Sequence, residues 1–375
     1  MLPPGVVVGR DCHCHYIEDP LKNVVTLKEG MAIIDVLNSS DVSVIIPVHN
    51  GGQDFGRCLA ALAEISPAPG EIVVVADACT DGSEQLAESF GARVLRTSKR
   101  SGPARARNLG AQAAQGDILF FVDADILVHP DAIDQVTAAF RQEPHLAAVF
   151  GSYDDAPAAP NFLSQYKNLL HHYMHQTAEE EASTFWSGCG AIRRDVFLAA
   201  KGFNAEFDRP AIEDIELGYR LKQGGHLIRL RKTLQVKHLK RWGAVSLVKT
   251  DFFDRALPWT QLILRDRRLI NDLNLRHSSR ASVMLIYGLL GSLVGAWWWP
   301  EFFIVTGVAI LLLLALNTSF YRFFHRQRGL WFTLRVIPWH WFYYLYSGLA
   351  FAIGAIQYSL NRLRAPQPRA PQATE

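Results

Sequence analysis

The chain has little cysteine, no surplus of either charge and no basic, apolar leader. Five cysteines in 375 residues (Cys12, Cys14, Cys58, Cys79 and Cys189) show no disulfide framework, as expected in a reducing compartment. A formal net charge of +2 offers no global attraction for nucleic acid, so that partner is not expected. Met1 to Arg10 lacks both a basic start and an apolar run of signal length, so no secretory signal is expected. Cys12-His13-Cys14-His15 has soft donors but no second ligand pair at zinc-finger spacing. The rest of residues 1–40 yields no functional reading and is treated as an N-terminal extension.

What the chain has is alternation of apolar strand-length runs with helical patterns. Val42–Val48, Ile72–Ala76, Ala92–Leu95, Ile118–Val122 and Leu146–Phe150 read as strands. Between them Asp54–Ile65, Ser83–Phe90, Ala104–Ala114 and a segment opened by Pro130 read as helices. Such alternation predicts an α/β fold with a mostly parallel sheet and helices on both faces. Ligand sites of such sheets form at the carboxyl ends of the strands.

Two acidic motifs fall in telling places. Asp123-Ala124-Asp125 follows Ile118–Val122, so its carboxylates sit where a buried strand ends. They form a hard-oxygen site suited to Mg²⁺ or Mn²⁺ carrying a diphosphate. Glu213-Asp214 opens a helical pattern, Ile212–Gln223, and could supply a general base. Acidic residues also suit a helix N-terminus through the dipole alone, and either pair could act as a cap.

The ordered series VSVIIPVHN, VVVADACTDGS, ARARNLG, FFVDADI, SGCGAIRRDVF and IEDIELGYRL resembles the family 2 glycosyltransferases of GT-A fold, over about Val42 to Arg241. The resemblance implies a Rossmann-like catalytic domain over residues 41–241. It gives nucleotide-sugar contacts to Pro47, Asn50, Asp77, Arg107, Asn108 and Asp123, with Asp77 at the base and Arg107 at the nucleotide or its phosphates. Asp125 is the better candidate for direct metal contact, and Asp123 for the ribose or a metal-bound water. Asp214 becomes the base that deprotonates an acceptor hydroxyl, supported by Glu213, with inversion at the anomeric carbon. Trp186 and Gly188 lie in the loop beside the acceptor. His238-Leu239-Lys240-Arg241-Trp242 is similar to the Gln-x-x-Arg-Trp motif of processive synthases, with His in place of Gln, which argues against polymerisation. His238 is then a candidate metal ligand or phosphate partner, and Arg241 a diphosphate contact.

Beyond the motifs the composition changes. Residues 242–280 are basic and amphipathic, with Val245, Val248 and Phe252 on one face and Leu262, Ile263, Leu269 and Ile270 on another, as in helices lying on an anionic membrane. Ala281–Trp299 carries no charge and matches the ~20 apolar residues a span requires. Phe302–Leu316 and Trp339–Leu360 follow, so residues 281–360 are expected to hold two or three transmembrane helices. Arg276 and Arg280 precede the first run and Arg322, Arg326 and Arg328 follow the second, which puts the catalytic domain on the cytoplasmic side of a multi-pass membrane protein. Residues 361–375 read as a disordered tail.

The expectation is therefore a metal-dependent transferase taking a sugar from a nucleotide diphosphate, with UDP favoured, to a hydroxyl on a membrane lipid or lipid-linked glycan. A phosphate acceptor needs no base, so a polyprenyl-phosphate glycosyltransferase is the runner-up. A non-catalytic membrane sugar-nucleotide sensor stands as the alternative of a different class.

Overall fold

The computed structural model describes residues 37–267 and 275–364, and the backbone of three short strands before them. Cys12–His15, Leu269, Ile270 and residues 365–375 lie outside the described residues. The chain divides into two compact units, residues 1–158 with 179–240, and residues 159–178 with 241–375. The sequence assigns 159–178 to the catalytic domain; in the structure that segment packs with the second unit.

In the first unit β1 (Tyr16–Asp19), β2 (Val24–Leu27) and β3 (Ile34–Asp35) pair antiparallel. The main sheet has eight strands: β4 (Val42–Val48), β5 (Glu71–Asp77), β6 (Arg93–Thr97), β7 (Ile118–Val122), β8 (Ile126–Val128), β9 (Leu146–Tyr153), β10 (Cys189–Arg193) and β11 (Leu227–His238). Their order is β6-β5-β4-β7-β10-β9-β11-β8. β10 runs antiparallel to β7 and β9, and β8 antiparallel to β11; the other pairings are parallel. The sheet is thus mixed where a mostly parallel one was expected, because β8 and β10 are reversed strands that the sequence did not mark.

The helices of this unit are α1 (Gly52–Ala63), α2 (Ser83–Ser89), α3 (Pro103–Ala113), α4 (Ala132–Gln142), α6 (Arg194–Ala199) and α7 (Glu213–Gln223). Phe55, Cys58, Leu59 and Leu62 form the buried stripe of α1, and Ile133, Val136, Thr137 and Phe140 that of α4. All five residues of β7 are buried, and Phe120 and Phe121 alone stabilise the fold by roughly 1.5–3 kcal/mol each. Two details aim the site. Gly110 lets α3 close on β4, since a Cβ there would lie 2.5 Å from Ile45 Cγ2. In α7, Glu213, Asp214 and Glu216 fill the first turn and Arg220 and Lys222 the last, matching the helix dipole at both ends.

The second unit is helical. It contains α5 (Phe162–Gln176), α8 (Ala244–Lys249), a π-helical turn (Thr250–Ala256), α9 (Leu257–Asp266), α10 (His277–Gly295), α11 (Phe302–Leu316) and α12 (Thr318–Arg364), the last broken at Gly329. Its core joins Tyr166, Leu169 and Leu170 to Phe320, Phe324 and Val336. Buried polar contacts tie its helices together: Lys167 Nζ lies 2.6 Å from Asp251 Oδ1, and Tyr344 Oη donates to Asn317 Oδ1 at 2.8 Å. In α8 Leu247 is buried and Val245 is exposed.

Among the described residues one helix, α10, is long and apolar enough to cross a membrane. α11 and α12 pass that test only as a pair, bent by 63° at the break between them. That makes one candidate span, or two if the bent pair is a single span, where two or three were expected. At 15 residues α11 reaches only about 22 Å, short of a ~30 Å hydrocarbon core. The third apolar run is part of α12, where His340, Tyr343, Tyr344 and Tyr346 dilute its hydropathy.

Candidate active site

The acidic loop is shaped by the two reversed strands. Asp123 N–H donates to Gly188 O at 3.2 Å, because β10 pairs Cys189 with Val122 and brings the Ser187-Gly188 turn alongside. Asp123 O then accepts from Ile126 N–H at 3.2 Å, a turn that sends the chain into β8. The β8–β11 register sets Ile126 opposite His238. Asp125 therefore meets the end of β11: its carbonyl accepts from Leu239 N–H at 2.9 Å, and its Oδ2 lies 3.4 Å from His238 Nε2. His238 in turn lies flat on Tyr153, with centroids 4.5 Å apart and planes 8° apart. Trp186 meets the same tyrosine edge-on at 4.9 Å. Burial opposes ionisation of Asp125, but the hydrogen bond and charge of His238, with Lys240, hold its carboxyl below the usual range.

A second cluster joins the acidic loop to α7. Arg107, buried on α3, donates from Nη2 to Asp123 Oδ1 at 2.6 Å and from Nη1 to Glu213 Oε1 at 2.9 Å. The other oxygen of Glu213 accepts from Ala211 N–H at 2.8 Å. Asp214 accepts from Ile215 N–H at 2.8 Å and more weakly from Ser187 N–H at 3.3 Å. Burial, then the charge of Glu213 beside it, pushes the Asp214 carboxyl up to about 7 against the pull of Arg107. That is a suitable value for a general base working near neutrality.

The remaining candidates lie along the ends of β4 and β5. Pro47 is half-buried in β4, opposite Val75. Asn50, exposed and at φ +52°, accepts from Thr80 N–H at 2.7 Å and so links the loops after β4 and β5. Asp77 is 3 % exposed and holds the loop that follows β6. Its Oδ1 accepts from Thr97 Oγ1 (2.7 Å), Ser101 N–H (2.8 Å) and Ser101 Oγ (2.8 Å), and its Oδ2 from Gly102 N–H at 2.8 Å. These donors outweigh burial and hold its carboxyl below the usual range. Asn108 clamps the backbone of Phe203, donating to its carbonyl at 2.8 Å and accepting from its N–H at 2.9 Å. Arg241 is exposed and begins the second unit.

The structure thus gathers Arg107, Asp123, Glu213 and Asp214 into one cluster and Asp125 with His238 into another. Gly188 and Trp186 lie in the turn between β10 and the acidic loop, where a Cβ on Gly188 would come within 2.7 Å of the Trp186 ring. Tyr153 was missed by sequence reasoning. Its one signal is its position at the end of β9, paired with Val236 two residues before His238.

Among the described residues no three His, Cys, Asp or Glu side chains gather to hold a metal ion by themselves. Asp125 and His238 offer one carboxylate and one imidazole. That pair fits a divalent ion whose other ligands are diphosphate and water oxygens.

An α/β unit with carboxylates gathered at strand ends is a frame for binding a phosphorylated ligand through a cation. Within it residues 43–199 match the model of glycosyl transferase family 2. Glycosyltransferase GlyG of Streptococcus pneumoniae serotype 4 is 29 % identical over 117 residues, 30 % of this chain and 38 % of that protein. Validoxylamine A glucosyltransferase of Streptomyces hygroscopicus subsp. limoneus is 27 % identical over 226 residues, 49 % of this chain and 48 % of that protein. The chain therefore spans less than half the length of either relative. A mannosyltransferase of Pyrobaculum calidifontis, solved with GDP-Man and Mn²⁺, is similar at 16 % identity and a TM-score of 0.49, over 86 % of this chain and 87 % of that one.

Proposed function

We propose that the protein is a membrane-associated, GT-A-like inverting glycosyltransferase. It moves a sugar from a nucleotide diphosphate to a hydroxyl of a membrane lipid or lipid-linked glycan. The observation that carries this reading is the half-buried Asp214, a carboxylate raised towards neutrality beside Glu213 and bonded to the turn that also receives Asp123. A sensor has no use for such a group, and a phosphate acceptor has no proton for it to take.

Asp214 accepts the proton of the acceptor hydroxyl as its oxygen attacks the anomeric carbon from the face opposite the leaving diphosphate. The nucleotide leaves with its electron pair, and the sugar inverts. Asp123 receives the ribose on the oxygen not held by Arg107, while Pro47 and Asn50 shape the nucleoside cradle. Asp125 and His238 would hold the divalent ion, which offsets the charge gathering on the leaving diphosphate. The imidazole favours Mn²⁺ over Mg²⁺, whose ligands are almost all oxygen. Trp186 and Gly188 border the acceptor side.

The second unit supplies the membrane contact in this reading. α10 would enter the bilayer, and the exposed Trp297, Trp298 and Trp299 that follow it suit a membrane–water boundary. The catalytic domain would face the cytoplasm, on the side of Arg276 and Arg280.

The experiment is a donor screen with full-length protein in lipid vesicles, offering UDP- and GDP-hexoses with Mn²⁺ and tracing radiolabel into extracted lipid. Metal-dependent labelling from one donor supports the reading, and the anomer of the product tests inversion. Binding of a donor without turnover on any lipid, glycolipid or water would restore the sensor.

A further inference from the structure

Arg107 is where the two ends of the site meet. Its Nη2 is 2.6 Å from Asp123, on the donor side, and its Nη1 is 2.9 Å from Glu213, next to the base. Its Nε is buried without a hydrogen-bond partner, and one face of the guanidinium lies over the Phe203 ring, 5.6 Å from the centroid. The side chain is about 5 % exposed. So deeply buried and already bound to two carboxylates, it presents little surface to a phosphate, the contact that the resemblance gives it. An arginine bound to two carboxylates on different elements fixes their separation, since its fork is rigid and permanently charged.

We infer that Arg107 is a positioning residue that couples the donor end of the site to the base. It holds Asp123, at the end of β7, and Glu213, at the start of α7, as one ion network. Asp214 is thereby kept at a fixed distance from the anomeric carbon and in a fixed field. The charged groups that set this field are Glu213 on α7 and Arg107 on α3, the latter also bound to Asp123; the N–H groups of Ser187 and Ile215 are its neutral neighbours. The inference rests on the proposed role of Asp214.

The test compares Arg107→Gln, Arg107→Lys and Glu213→Gln with the unmodified full-length protein. Donor hydrolysis is followed from pH 5 to 9, which needs no knowledge of the acceptor, and binding of UDP and GDP with Mn²⁺ is measured by calorimetry. Loss of the positive charge in Arg107→Gln should move the midpoint of the acid limb to higher pH and lower kcat about a hundredfold. Nucleoside diphosphate affinity should change less than threefold. Arg107→Lys should restore the midpoint but not the full kcat, because a point charge does not fix two carboxylates as a fork does. Glu213→Gln should move the midpoint to lower pH. A tenfold or greater loss of diphosphate affinity with an unmoved midpoint would make Arg107 a phosphate ligand and overturn the inference. Failure of the underlying reading looks different: Asp214→Asn, run in parallel, would then keep both its rate and its acid limb.

Discussion

His238 Nε2 lies 3.4 Å from Asp125 Oδ2, although 113 residues separate the two in the sequence. The antiparallel β8–β11 register brings them together, and Tyr153 braces the imidazole from behind. Asp125 and His238 are the pair to which the account assigns the metal. His238→Ala should raise the Mn²⁺ concentration for half-maximal donor hydrolysis by about tenfold or more. Metal titration measures it directly, and an unchanged Mn²⁺ requirement would remove His238 from the metal site.

Asp77 is predicted to matter for folding as much as for binding. Asp77→Ala leaves Thr97, Ser101 and Gly102 donors unpaired in a buried loop, and should cost about 2–4 kcal/mol. The carboxyl is held below its ordinary value, so its contribution is full above the unfolded value near 4 and is lost as pH falls through the folded one. Urea unfolding of wild type and Asp77→Asn should differ at pH 7 and converge as pH drops below about 4.

Asp214 should show the opposite sign. Its folded value, about 7, lies above the unfolded one, so the folded state holds a proton that the unfolded state releases. The charged carboxylate therefore costs stability increasingly from pH 4 to 7, fully above 7 and not at all below 4. Asp214→Asn should be more stable than wild type at pH 8, by about 1–3 kcal/mol, with the gain vanishing near pH 4. Thermal melts across this range read it out; a destabilised Asp214→Asn at pH 8 would contradict the assignment of strain.

Gly188→Ala should displace Trp186, because the new Cβ would sit 2.7–2.9 Å from ring atoms of the indole. A loss of about 1–3 kcal/mol is expected. The larger effect should fall on transfer to the acceptor, with donor hydrolysis less affected, alongside a shift in tryptophan fluorescence.

The parallel half of the sheet was legible because its strands are continuous apolar runs closed by polar loops; β4 and β7 have the bounds read from sequence. β11 was not legible. Its sequence LIRLRKTLQVKH breaks its apolar residues with basic and polar ones, so no continuous apolar run marks it. Without β11 the neighbour of Asp125 cannot be located by pattern, and His238 came into view through the Gln-x-x-Arg-Trp likeness. The acidic cluster was half legible: Asp123, Glu213 and Asp214 stand out by position, but the arginine that joins them is visible only once α3 packs against β4. Residues 159–178 group with the second unit for a reason of the same kind. The buried face of α5, Tyr166, Leu169 and Leu170, is complementary to aromatic residues of α12, a match that local periodicity does not reveal.

The central claim is that Asp214 takes the proton in sugar transfer. The most direct measurement is transfer from the active donor by Asp214→Asn in vesicles, beside calorimetric binding of the matching nucleoside diphosphate with Mn²⁺. The account predicts that transfer falls by about 10²–10⁴-fold while nucleotide affinity stays within a few-fold of wild type. Full transfer by Asp214→Asn would contradict it and leave a phosphate acceptor, which needs no base, as the reading to pursue.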